Sequence, residues 1–150
     1  MAQSLSNILL HIVFSTKHRQ PFIDEGIEAE LFKYLATACN TLGCPTHGIG
    51  AADDHIHIAC NLGRTIAVSK LIQEIKQDSS QWMKSQGLQY SDFAWQNGYG
   101  AFSIGQSQLA DLQRYITGQR DHHRRESFQD EFRRLLAKYE IEVDERYAWD

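Results

Sequence analysis

The chain has 150 residues, 42% of them apolar and 23% charged, which is the make-up of a soluble globular domain able to bury its own core rather than of a disordered or fibrous chain. Fifteen Lys and Arg against nineteen Asp and Glu leave a net charge of -4, which argues mildly against a surface that coats nucleic acid and leaves room for local contact with a few phosphates. No apolar run is long enough to span a membrane, and the opening MAQSLSNILLHIVF lacks the basic flank and cleavage site of a signal peptide, so a cytoplasmic protein is expected.

Residues 7–15, NILLHIVFS, form an apolar run of strand length that ends at the polar KHRQP loop. A helix follows, capped by Asp24, with Ile27, Leu31, Tyr34, Leu35, Ala38 and Leu42 at helical spacing until Gly43 and Pro45 stop it. THGIGAADD reads as a short strand and turn, pairing as a hairpin with a strand from about Asp54 to Leu62. Thr65 opens a second helix whose Val68, Leu71, Ile72, Ile75, Trp82 and Met83 share a face before Gly87. FAWQNGYGAFSI reads as a last strand with a bend or bulge.

The order strand, helix, strand, strand, helix, strand is that of a split βαβ, ferredoxin-like (RRM-like) α+β fold with one antiparallel sheet. Two C-terminal helices are added to it. One runs from about Gln106 to Arg120 with Leu109, Leu112 and Ile116 apolar, and the other begins at Ser127, with Asp130 three residues on, and buries Phe128, Phe132, Leu135, Leu136 and Tyr139. Nothing repeats and no linker divides the chain, so residues 1–150 read as a single domain; the aromatic tail IEVDERYAWD is expected to dock on it. Cys39, Cys44 and Cys60 read as reduced, buried thiols, because the zinc-like spacing of Cys39, Cys44 and His47 has no second ligand pair.

DDHIHIAC carries two histidines in an otherwise apolar strand. Side chains alternate along a strand, so His55 and His57 share one face while Ile56, Ile58 and Cys60 take the other. Such a strand either turns its histidines to water or offers paired nitrogen ligands to a metal. In the penultimate helix Tyr115 and Gln119 are four residues apart, which places them one turn apart and able to point outward together. An amide oxygen there can complete a site begun by two imidazoles, with a phenol beside it to attack a bound phosphate; an ordinary polar helix face is the other reading. Basic residues cluster at Lys17-His18-Arg19 and in RDHHRR from Arg120. By local charge, Lys17, Arg19, Arg120, Arg124 and Arg125 are candidates for contact with phosphates, solvated faces being the other reading.

His55-Ile56-His57 resembles the HUH motif, and Tyr115 with Gln119 resembles the nucleophile helix of single-tyrosine HUH transposases of bacterial insertion sequences, a group related to REP-associated tyrosine transposases. The resemblance takes in HIVFSTKHRQPF, YGAFS, RDHHRRESFQDEFRRLL and the DERYAW tail, and so nearly the whole chain. It implies that His55, His57 and Gln119 hold a divalent cation, Mg2+ or Mn2+, and that Tyr115 attacks the scissile phosphate of single-stranded DNA at hairpin-marked element ends, which makes the phosphates met by the basic candidates those of DNA. The implied product is a 5′-phosphotyrosine and a free 3′-hydroxyl, with strands later rejoined. It further implies a homodimer in which the tyrosine helix of one subunit can complete the histidine site of the other. Gly118, poor in a helix interior, would either permit that movement or mark close packing.

Rival readings fit less well. A histidine-triad hydrolase would want a histidine at position 59, where this chain has Ala59, and two-histidine phosphoesterases would want Ser or Thr in place of His57. A non-catalytic module binding single-stranded or hairpin nucleic acid on the same fold is the alternative from a different class.

Overall fold

The computed structural model describes residues 2–146, 148 and 149. Leu9–Ser15 (β1) is the central strand and is buried along its whole length. Its alternation divides two environments: Leu10, Ile12 and Phe14 enter the main core, whereas Val13 joins a second apolar cluster on the opposite face. Strands Thr46–Ala52 (β2), His55–Asn61 (β3) and Gly100–Ile104 (β4) complete an antiparallel sheet of order β2-β3-β1-β4. This is the ferredoxin-like arrangement expected from the element order.

Two helices cover the Leu10 face. Glu25–Thr41 (α1) begins where the Asp24 side chain accepts from the Ile27 amide at 2.9 Å, and it buries Ile27, Leu31, Leu35 and Cys39. Val68–Lys84 (α2) buries Leu71, Ile72, Ile75 and Met83. It starts three residues later than the sequence reading placed it, because Arg64 and Thr65 form a turn. Burial pushes the thiols of Cys39 and Cys60 up to about 12, so they lie in the core as protonated, unreactive side chains.

The last apolar segment divides. Trp95 makes an isolated antiparallel bridge to Thr16, Gly98 takes a positive φ of 113°, and regular pairing resumes only at Gly100. The C-terminal helices cover the other face of the sheet, so the fold has three layers. The first of them is interrupted: Leu109–Thr117 (α3) ends at Gly118, whose amide bonds the Tyr115 carbonyl, and Gln119–His122 (α4) follows. Phe128–Lys138 (α5) is capped by Ser127, whose hydroxyl accepts from the Asp130 amide at 3.2 Å. Phe128, Phe132, Leu135 and Leu136 of α5 pack with Val13 and Phe102. Trp149 of the tail lies against Phe128 and Phe132, with Arg133 over its ring; Tyr147 and Asp150, also in that tail, fall outside the described residues.

Gly50 sets how closely α3 approaches the sheet. A Cβ there would lie 2.0 Å from the Ile116 carbonyl oxygen, a backbone atom that cannot swing aside. Gly50 pairs with His57, so this contact also places the end of α3 beside the histidine strand. Gly50→Ala is expected to cost about 3 kcal/mol or to displace α3, read as a lower melting temperature.

Candidate active site

Sheet register brings three histidines to one face. His57 lies opposite Val13 and His55 opposite Ser15, while His11, opposite Ala59, reaches diagonally so that its Nε2 is 2.7 Å from His57 Nδ1. All three are buried, His55 and His57 completely. The expected two-faced strand is therefore present, but its histidine face meets protein rather than water. Gln119 is likewise turned inward, 1% exposed, with its Oε1 3.2 Å from His55 Nε2. Tyr115 is half-buried on the same side, and the Gln119 amide donates to the Tyr115 carbonyl at 3.4 Å. The outward orientation expected for this pair is corrected by α3 and α4 lying across the sheet.

Glu131 of α5 stands at the centre. Its Oε1 is 2.9 Å from His57 Nε2, 3.3 Å from His55 Nε2 and 3.1 Å from His123 Nε2. Its Oε2 accepts the Tyr115 hydroxyl. That hydroxyl also accepts from Arg134 Nη2 at 2.8 Å, and the Arg134 guanidinium lies 5.7 Å from the ring centre. His55 is fixed from its other side by Asp54, with Nδ1 at 2.7 Å from a carboxylate oxygen.

Burial, the largest influence, opposes charge on His55, but its bonds to Asp54 and Glu131 outweigh it and raise the imidazole to about 9. Burial wins at His57, lowered to about 4, and at His11, lowered to about 3. Neutral His57 then donates from Nε2 to Glu131 and accepts at Nδ1 from His11. Burial works against the Glu131 anion, yet hydrogen bonds from His123, His55 and His57 hold it well below the usual carboxylate range. Burial and then the Glu131 carboxylate push the Tyr115 phenol up, with Arg134 pulling the other way, so the phenol keeps its proton at neutral pH.

These shifts give stability a maximum. The unfolded chain binds protons at His11 and His57 below pH 6.5 that the folded chain refuses, so stability falls as pH drops from 6.5 toward 4; Glu131 adds to the loss at the acid end. The contribution of His55 is complete below 6.5 and disappears as pH rises through about 9. Melting temperature measured in EDTA is expected to peak near neutrality and fall on both sides; a flat profile would contradict the assignment.

The donors suit a cation. One ligand atom from each of His55, His57, His123 and Glu131 lies within 4.8 Å of all the others, and the mixture of imidazole nitrogen and carboxylate oxygen is one that first-row divalent metals accept.

The family described as Transposase IS200 like matches residues 4–119. The chain belongs to this IS200-like transposase family. The fold agrees with two solved structures: a putative transposase from Deinococcus radiodurans R1 (16% identity, TM-score 0.62, covering 80% of this chain and 96% of the other) and a REP-associated tyrosine transposase bound to a REP hairpin (12% identity, TM-score 0.55, 77% and 70%). A comparison with curated protein sequences gives no significant match. Membership makes this IS200-like chain a DNA-cleaving transposase by family, and no described helix is long and apolar enough to cross a membrane.

The family match ends at Gln119, so His123, Glu131 and Arg134 lie beyond it. Of the basic candidates, Lys17, Arg124 and Arg125 are exposed, and Arg19 donates to the Trp149 carbonyl at 3.0 Å. Arg19, Arg120 and Arg124 line one cleft of about 670 Å³ that also reaches His123. Arg120, a candidate for phosphate contact from its charge cluster, is already paired within the chain. Its guanidinium is held by Asp53, by Glu28 at 2.6 Å and by the Ile23 carbonyl at 2.9 Å, which ties α4 to the start of α1.

Proposed function

We propose that this IS200-like transposase cleaves and rejoins single-stranded DNA at hairpin-marked ends by transesterification, with Tyr115 forming a 5′-phosphotyrosine intermediate. The observation that carries the reading is convergence: the Tyr115 hydroxyl and the imidazoles of His55 and His57 meet at the two oxygens of one carboxylate.

Tyr115 Oη bonds to phosphorus as the P–O3′ bond breaks, and the proton given up by the phenol is balanced by the one taken up at the leaving 3′-oxygen. One ester replaces another, so a later 3′-hydroxyl reverses the step without ATP and restores Tyr115. His55, His57 and Gln119 would hold a divalent cation, Mn2+ or Mg2+, which when bound would supply positive charge to the phosphoryl oxygens. Arg134 adds a fixed positive charge at the nucleophile, and Lys17, Arg19, Arg124 and Arg125 meet phosphates further along the strand. The hairpin-bound relative supports a hairpin substrate. Within one chain Tyr115 shares the Glu131 carboxylate with His55 and His57, which supports action in cis; in a homodimer the break at Gly118 is where α3 and α4 would part for exchange in trans.

The test incubates purified protein, Mn2+ and a hairpin-bearing single strand from the DNA flanking the gene, followed by denaturing electrophoresis. A covalent protein–DNA species that EDTA suppresses is expected. Hairpin binding with no such species would favour the non-catalytic binding module.

A further inference from the structure

We propose that Glu131 is a ligand of the catalytic cation, with His123 beside it, and is at the same time the residue that positions the Tyr115 hydroxyl. The inference rests on the metal-assisted reading above and adds to it a half of the site that α5 supplies.

Glu131 lies in the apolar stripe of α5 between Phe128 and Phe132 and is 0% exposed. A carboxylate buried there carries a desolvation cost of several kcal/mol, set off only by good partners, a cost an apolar side chain at the same position would not carry. The partners it has are the donors of a metal site. Three imidazole Nε2 atoms converge on Oε1 within 3.3 Å, two from β3 and one from His123 just after α4. His123 follows Gln119 by four residues and Tyr115 by eight, so all three project from the same side of the α3–α4 segment.

The second oxygen gives the arrangement its direction. Oε2 takes the Tyr115 hydroxyl hydrogen, and Arg134, three residues after Glu131 on α5, donates to the same hydroxyl. A single rigid carboxylate therefore sets the spacing between the imidazole cluster and the nucleophile. It also changes the charge of the donor set. Two imidazoles and an amide are neutral, whereas Glu131 contributes a full negative charge toward a divalent ion, and the third imidazole tilts preference toward Mn2+ over Mg2+.

The test is Mn2+ binding without DNA, followed by the electron paramagnetic resonance signal of free Mn2+, on wild type, Glu131→Gln, His123→Gln, Tyr115→Phe and His57→Ala, with circular dichroism to confirm folding. Glu131→Gln and His123→Gln are each expected to weaken binding about tenfold or more, while Tyr115→Phe stays within about threefold of wild type. Wild-type affinity in Glu131→Gln overturns the inference, and so does a tenfold loss in Tyr115→Phe, which would make collapse of the network the cause. If Glu131→Gln does not fold, His123→Gln carries the test, since His123 sits at the rim and its removal leaves both β3 histidines in place; unchanged binding there overturns the inference. No Mn2+ binding by wild type, or unimpaired binding by His57→Ala, instead overturns the metal-assisted reading itself.

Discussion

Tyr115→Phe is expected to lower strand cleavage by at least about 10⁴-fold and to abolish the covalent species, while hairpin affinity stays as it was. The ring remains, so its contacts with His57 and His122 and the stacking of Arg134 are preserved. What is lost is the oxygen proposed to bond to phosphorus, together with its hydrogen bonds to Glu131 and from Arg134, a change of about 1–2 kcal/mol in stability. Single-turnover cleavage of a labelled strand, beside a gel-shift titration of the same hairpin, separates the two effects. Residual adduct in this variant would point to another nucleophile.

The second large effect is expected at His57. His57→Ala removes an imidazole that faces Glu131 with Nε2 and His11 with Nδ1, in a position that is fully buried. Cleavage should fall by about 10³-fold or more, because the positive charge held at the phosphate is lost or misplaced. The substitution also opens a cavity and strips one donor from a buried carboxylate, so a loss of about 3 kcal/mol in stability accompanies it. Hairpin binding by the folded fraction is expected to persist. Cleavage at the wild-type rate in that fraction would dismiss the role of the histidine face.

The two effects differ in what they say about the fold. Tyr115 stands at the edge, where Arg134 is half-exposed and a strand can enter, whereas His57 belongs to the layer between sheet and helices. The proposed chemistry thus falls where the C-terminal helices seal the sheet, and the close contact at Gly50 fixes the seal.

Local periodicity made most of the fold legible. The apolar run LLHIVFS and the alternation in HIHIACN marked the two central strands, and Asp24 and Ser127 act as the helix caps their positions implied. The pairing of His55 with His57 on one face followed from period two alone. Their burial did not, since it depends on α3, α4 and α5 closing over that face, and no local pattern encodes which layer a helix joins. The same tertiary closure turned Gln119 inward. The pairing of Arg120 was hidden for a related reason: its partners Glu28 and Asp53 are 92 and 67 positions away, so a charge cluster read along the chain sees none of them.

Three residues of the site left signals that a stricter reading would use. His11 interrupts NILLHIVFS at the parity of Val13, which places it on the sheet face that also carries His57. His123 repeats the four-residue step from Tyr115 to Gln119. Glu131 is an acid inside the stripe Phe128, Phe132, Leu135, where burial demands a partner. His11 and Glu131 are polar residues at core positions, a mark of a functional site more often than of a faulty core.

The most direct measurement takes the covalent species formed by wild-type protein, trims the DNA with nuclease, digests with trypsin and maps the nucleotide by mass spectrometry. The nucleotide is expected on Tyr115 within the peptide Tyr115–Arg120, released by cleavage after Arg114 and Arg120. A nucleotide carried by any peptide that lacks Tyr115 would contradict the account.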